Sequence, residues 1–126
     1  IDDSPTKRYG PKVEGADVHH NPTPGPADQP FLYGHVWVTI SLALRHPRWG
    51  AIGLPLLAML YVRKRTMATI PKVRGWQRFA TKLQLAARLV EWIVPILKKA
   101  GKTVWVVIDG GYTKRPFLRR VLTMAC

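Results

Sequence analysis

The chain has 126 residues, 20 Lys and Arg against seven Asp and Glu, and one cysteine, Cys126. That length suffices for one packed core, while a lone cysteine excludes an intrachain disulfide framework and a cysteine-based zinc site. The longest apolar run, Ala51–Val62, is too short to span a bilayer, so no membrane partner is expected.

The first residues hold no basic stretch leading into an apolar one, the mark of a secretory signal. A cytoplasmic protein is therefore the expectation. Because the sequence opens on Ile1 and closes in an unfinished helical pattern, it reads as a piece of a larger protein, truncated at both ends. The net charge of +13 is uneven. Residues 1–28 carry five acids against three bases, whereas residues 29–126 carry 17 bases against Glu91 and Asp109 alone. Such a basic body suits a polyanionic partner, nucleic acid foremost.

In chain order, Ile1-Asp2-Asp3 reads as the end of a strand. Residues 4–30 follow, rich in Pro and Gly, and predict a loop. Phe31–Leu44 is aromatic and β-branched and predicts a strand. His46-Pro47-Arg48-Trp49-Gly50 is a turn, with Trp49 free to be exposed. Ala51–Val62 returns as the second strand of a hairpin, with Pro55 requiring an edge position or a bulge. Arg63–Gly75 is a basic connection. Trp76, Phe79, Leu83, Ala86, Val90, Ile93 and Leu97 then recur at three- and four-residue spacing, one face of an amphipathic helix. Pro95 should kink the helix, and Gly101 should end it. Thr103–Ile108 is almost wholly apolar and predicts a strand buried on both faces, Trp105 within it. Thr113 is the expected N-cap of a last helix, with Pro116 in its first turn.

Two places carry chemistry. Asp109 ends the apolar run and precedes two glycines. Carboxyl ends of strands are where α/β sheets place ligands, although Asp-Gly is also an ordinary turn dipeptide. Asp2 and Asp3 end the first strand. Carboxylates from neighbouring strands can hold Mg²⁺ or Mn²⁺, hard cations that prefer oxygen. Paired ions of this kind serve phosphodiester chemistry. Lys7 and Arg8 follow the first acids and Lys114 and Arg115 follow Asp109, so these four are candidate phosphate contacts, or ordinary solvated charge. Arg63-Lys64-Arg65, Lys72 and Arg74 carry the same two readings. His19 and His20, with no spaced partner, are a weak zinc signal and read as loop or phosphate contacts. His35 and His46 carry no motif.

The runs Asp2-Asp3-Ser4-Pro5-Thr6-Lys7-Arg8-Tyr9-Gly10-Pro11, His19-His20-Asn21-Pro22-Thr23-Pro24-Gly25 and Val106-Val107-Ile108-Asp109-Gly110-Gly111-Tyr112 together resemble the core of DDE-type transposases of bacterial insertion sequences. The resemblance covers essentially the whole chain. It implies an α/β, ribonuclease H-like mixed sheet: three antiparallel strands, then helix, strand and helix. It implies DNA transposition by metal-dependent strand cleavage and transfer, with transposon ends and target DNA as partners and a homo-oligomer in the intact parent. On it, Asp109 matches the second catalytic Asp. The first falls on Asp2 or Asp3, with Asp3 favoured because Ser4 follows it. The third acid has no counterpart, and Glu91 lies in the wrong place. The fragment alone is thus expected to be inactive. Two alternatives remain: a non-catalytic DNA-binding remnant of a truncated transposase, and a ribonuclease H-like nuclease unrelated to transposition.

Overall fold

The computed structural model describes residues 1–21, 29–70 and 78–124. Trp76, Lys72, Arg74, Pro71, Gly75, Cys126 and the Pro22–Gly25 run lie outside the described residues. The element order is β1 (Asp2–Lys7), β2 (Asp17–His20), β3 (Phe31–His46), β4 (Gly50–Tyr61), α1 (Lys64–Met67), α2 (Lys82–Lys99) and α3 (Arg115–Leu122). The described residues form a mixed α/β structure, a four-stranded antiparallel sheet with three helices.

β3 is the axis of the sheet. It pairs antiparallel with β1 over Gly34–Thr39, with β2 over Phe31–Gly34, and with β4 over Val36–His46. Gly34 has a partner on each edge, Lys7 on one side and Asp17 on the other. A side chain there would drive into the Thr6 backbone carbonyl, so the close pairing of β1 requires glycine.

Two expectations are corrected here. The loop expected over residues 4–30 contains β1 and β2. Pro5 did not prevent β1 from forming because β1 bonds only to β3, so one of its edges faces no strand among the described residues, and an edge tolerates a missing N–H. Asp2 and Asp3 therefore begin a strand instead of ending one.

The second correction concerns Thr103–Ile108, which is extended but is not hydrogen-bonded into the sheet as a strand. A single main-chain bond ties it to β1, from the Ile1 amino group to the Val107 carbonyl at 2.8 Å. Val104, Val106 and Ile108 pack against the core. Trp105 and Val107 point the other way and are 89% and 78% exposed. Only one face is buried, and Trp105 is not a core residue. An apolar cleft of about 670 Å³ opens between this segment and Ile40–Ala43 of β3, with Ile93 and Leu97 beneath it.

The β3–β4 hairpin forms as expected. Its register slips between Ile40 and Ser41, which pair with Leu57 and Pro55. The bulge at Leu56 lets Pro55 stand on the outer edge. At the tip, the His46 Nδ1 accepts from the amides of Arg48 and Trp49, and its ring stacks on exposed Trp49 at 4.2 Å.

α2 begins later than its apolar face suggested, at Lys82. Thr81 caps it: its hydroxyl accepts from the Gln84 amide, and the Gln84 side chain accepts from the Thr81 amide. The helix runs through Pro95 to Lys99. Gly101, at φ +72°, closes it, with its amide bonded to the Lys98 carbonyl and that of Lys102 to the Leu97 carbonyl. α2 buries Leu85, Ala86, Ala87, Leu89, Val90 and Val94 against Val38 and Ile40 of β3. α3 has Lys114 at its N-cap position instead of Thr113, with no side-chain capping bond, and seats Phe117 in the same core. No described helix is long and apolar enough to cross a membrane.

Candidate metal centre

Two local structures deliver the three acids. β1 carries Asp2 and Asp3, held in register by Thr39 and Val38 opposite them. The Asp2 carboxylate folds back to accept the Asp3 amide at 2.8 Å. This turn is what allows neighbours on a strand, whose side chains ordinarily alternate between faces, to approach one another. Asp109 follows the extended segment and accepts the Gly111 amide at 2.7 Å, while its carbonyl accepts from the Tyr112 amide. That pair of bonds is an Asx-type turn. It aims the Asp109 carboxylate back toward β1.

The outcome is convergence across 106 positions of sequence. One carboxylate oxygen each from Asp2, Asp3 and Asp109 lies within 4.8 Å of the others. Three oxygens at this spacing are a donor set for a hard divalent ion. Asp3 and Asp109 share a cleft of about 360 Å³ with Lys82, Tyr112 and Lys114. Asp2 and Asp109 also border the larger apolar cleft. Asp109 thus stands where the two clefts meet.

Three residues that sequence reasoning had not marked complete the site. Lys82, the first residue of α2, donates from Nζ to the Asp3 carboxylate at 2.6 Å. Its ammonium also lies 5.6 Å from the centre of the Tyr61 ring. Tyr112 is 4% exposed, and its hydroxyl makes no full hydrogen bond, although it is close enough to the Asp3 carboxylate to feel it as a weak partner. Burial, and then the negative charges of Asp3, Asp2 and Asp109, push its pKa above the usual phenol value, so its hydroxyl stays protonated and remains a donor. Thr81 fixes the start of α2 and with it the origin of Lys82. A readable signal existed for the cap, since Thr81-x-x-Gln84 is a capping-box pattern. None existed for Lys82 or Tyr112, because their role depends on tertiary approach.

The basic candidates divide. Lys114 lines the acidic cleft, and exposed Arg115 is next to it in the chain. Lys7 lies at the far end of β1, four residues from Asp3, which is roughly 13 Å of extended chain. Arg8 donates to the His35 Nδ1 at 3.1 Å, and the same ring donates from Nε2 to the Glu14 carbonyl. The structure does not bring Lys7 and Arg8 beside the acids. His19 is buried on β2 against Tyr61, with Nε2 unpartnered and its pKa lowered, chiefly by burial. Glu91 is clasped by Arg120 across α2 and α3 at 2.7 Å.

In comparison with known proteins, the chain matches no family model, no curated protein and no solved structure.

Proposed function

We propose that Asp3 and Asp109, with Asp2 beside them, form the divalent-metal site of a ribonuclease H-like domain. On this reading the intact protein cuts and joins DNA at the ends of a mobile element, as DDE-type transposases do. The observation that carries the proposal is the meeting of the three carboxylates, with oxygens within 4.8 Å, from opposite ends of the chain. The antiparallel start of the sheet, followed by a long helix, an extended apolar segment ending in Asp109 and a last helix, supports it.

The residues fit Mg²⁺ or Mn²⁺. All three donors are carboxylate oxygens, which suit hard cations, and Tyr112 adds next to them a buried hydroxyl that makes no full hydrogen bond. When bound, such an ion supplies charge stabilisation at a phosphoryl oxygen and acidifies water. Asp3, Asp109 and Asp2 hold the ion. Lys114 and Arg115 attract the phosphates flanking the scissile bond. Tyr112, kept protonated, offers a hydrogen-bond donor on the floor of the site. The +13 net charge favours a polyanionic substrate.

Calorimetric titration of Mn²⁺ into the wild type, Asp109→Ala and Asp3→Ala tests the site. Saturable binding in the wild type and its loss in both variants is expected, with metal-dependent nicking of DNA lost in parallel in the full-length parent. Equal binding by all three proteins sinks the site. DNA binding that neither needs nor responds to Mn²⁺ selects the non-catalytic DNA-binding reading instead.

A further inference from the structure

Lys82 donates to Asp3, one of the three carboxylates of the candidate site. Three carboxylates meet at the rim of the cleft, and the Lys82 ammonium is bonded to one of them, Asp3. Tyr112 argues that the cluster is built for a ligand beyond that ammonium. It is buried against the same three acids, lines the same cleft, and makes no full hydrogen bond through its hydroxyl.

The Lys82–Asp3 pair is also of a kind that opens readily. The two side chains are 39% and 27% exposed, and ion pairs in that setting are worth little. The lysine stem is anchored at the first turn of α2, whose start is fixed by the Thr81 cap. When the ammonium leaves Asp3 it therefore stays within the cleft, beside Lys114.

We propose that Lys82 is an internal counter-cation of the site: it competes with a divalent ion for Asp3, and once displaced it binds a phosphate oxygen of the nucleic acid in the same cleft. This rests on the metal-site reading above and adds a coupling to it. Metal binding frees a phosphate ligand, and phosphate binding removes the metal's competitor. Each therefore strengthens the other, by the same factor in both directions.

The test is Mn²⁺ titration of the wild type, Lys82→Met and Lys82→Arg, each alone and with a single-stranded oligothymidylate. Methionine keeps the apolar stem and removes the charge. Without oligonucleotide, Lys82→Met is expected to bind Mn²⁺ about fivefold more tightly, roughly 1 kcal/mol at 1.4 kcal/mol per tenfold. The oligonucleotide should raise Mn²⁺ affinity in the wild type and in Lys82→Arg, and fail to do so in Lys82→Met. Thermal melts verify that the variants are folded. If Lys82→Met binds Mn²⁺ no better than wild type, or keeps the full coupling, the lysine inference is overturned while the metal site stands. If Mn²⁺ binds to none of the three proteins, the metal site itself is wrong and the inference falls with it.

Discussion

Asp17 and Asp109 are the same amino acid, put to opposite uses. Asp17, at the start of β2, is 7% exposed and fully engaged. Its carboxylate accepts both prongs of the Arg65 guanidinium, the Thr66 hydroxyl and the Val18 amide. Those bonds, Arg65 foremost, hold its pKa well below the usual carboxylate range. Asp109 is exposed, satisfied by one backbone amide, and crowded by two other acids. Four donors converge on one carboxylate at the first site, whereas at the second three carboxylates share Lys82 and two amides. The first arrangement locks β2 to α1. The second gives three carboxylates fewer donors than the first gives one.

Gly34 underlies both regions, because it pairs with Lys7 of the strand bearing Asp3 and with Asp17 itself. Gly34→Ala should therefore have the largest effect, costing about 3 kcal/mol in chemical denaturation and weakening Mn²⁺ binding as well. A variant as stable as wild type would mean that the two regions are not joined through this residue.

Asp17→Ala should cost about 2 kcal/mol, the worth of charge-assisted hydrogen bonds, and leave Mn²⁺ affinity unchanged. The pH dependence has a definite sign. A carboxyl whose folded pKa is depressed contributes stability that is complete above its unfolded value near 4 and fades as pH falls toward the folded one. Wild-type stability should thus decline below about pH 4, and Asp17→Asn should flatten that decline. An unchanged acid limb would remove Asp17 from the account.

Thr81→Ala removes the N-cap of α2 and should cost about 1 kcal/mol. It should also loosen the base of Lys82, reducing the metal–oligonucleotide coupling without abolishing it. The smallest stability change belongs to Asp109→Asn, which relieves repulsion among exposed carboxylates. It should be neutral or stabilising by a few tenths of a kcal/mol while losing Mn²⁺. A large destabilisation would place Asp109 with Asp17 among the structural acids.

Much of this contrast was legible in the sequence, and its gaps have physical causes. The apolar spacing from Phe79 onward located α2, since Ala86 and Val90 are both fully buried. Pro55 announced its bulge, and Gly101 the end of α2. Asp2, Asp3 and Asp109 could be singled out because acids beside apolar runs stand out against a basic chain. β1 and β2 were hidden because Pro and Gly composition speaks for loops, whereas their pairing is decided by residues of β3 that lie well beyond them in the sequence. The apolar run Thr103–Ile108 signalled a wish for burial without saying how many partners it would meet. Asp17 gave no local sign of its importance, since Arg65 and Thr66 reach it only after the sheet has formed.

The single main-chain bond between Ile1 and Val107 has a consequence for how the three carboxylates keep their arrangement. Amides that lack partners exchange with solvent through local fluctuation, without waiting for global unfolding. Deuterium uptake should therefore be fast along Thr103–Ile108 and slow along the middle of β3. Asp3 stands on β1, paired to that slow strand at Val38, and Asp109 at the end of the fast one. The separation between the two carboxylates is thus set by a rigid post and a springy one. Whatever stiffens residues 103–108 narrows the distribution of that separation and tightens the grip on an ion, without touching any of its ligands.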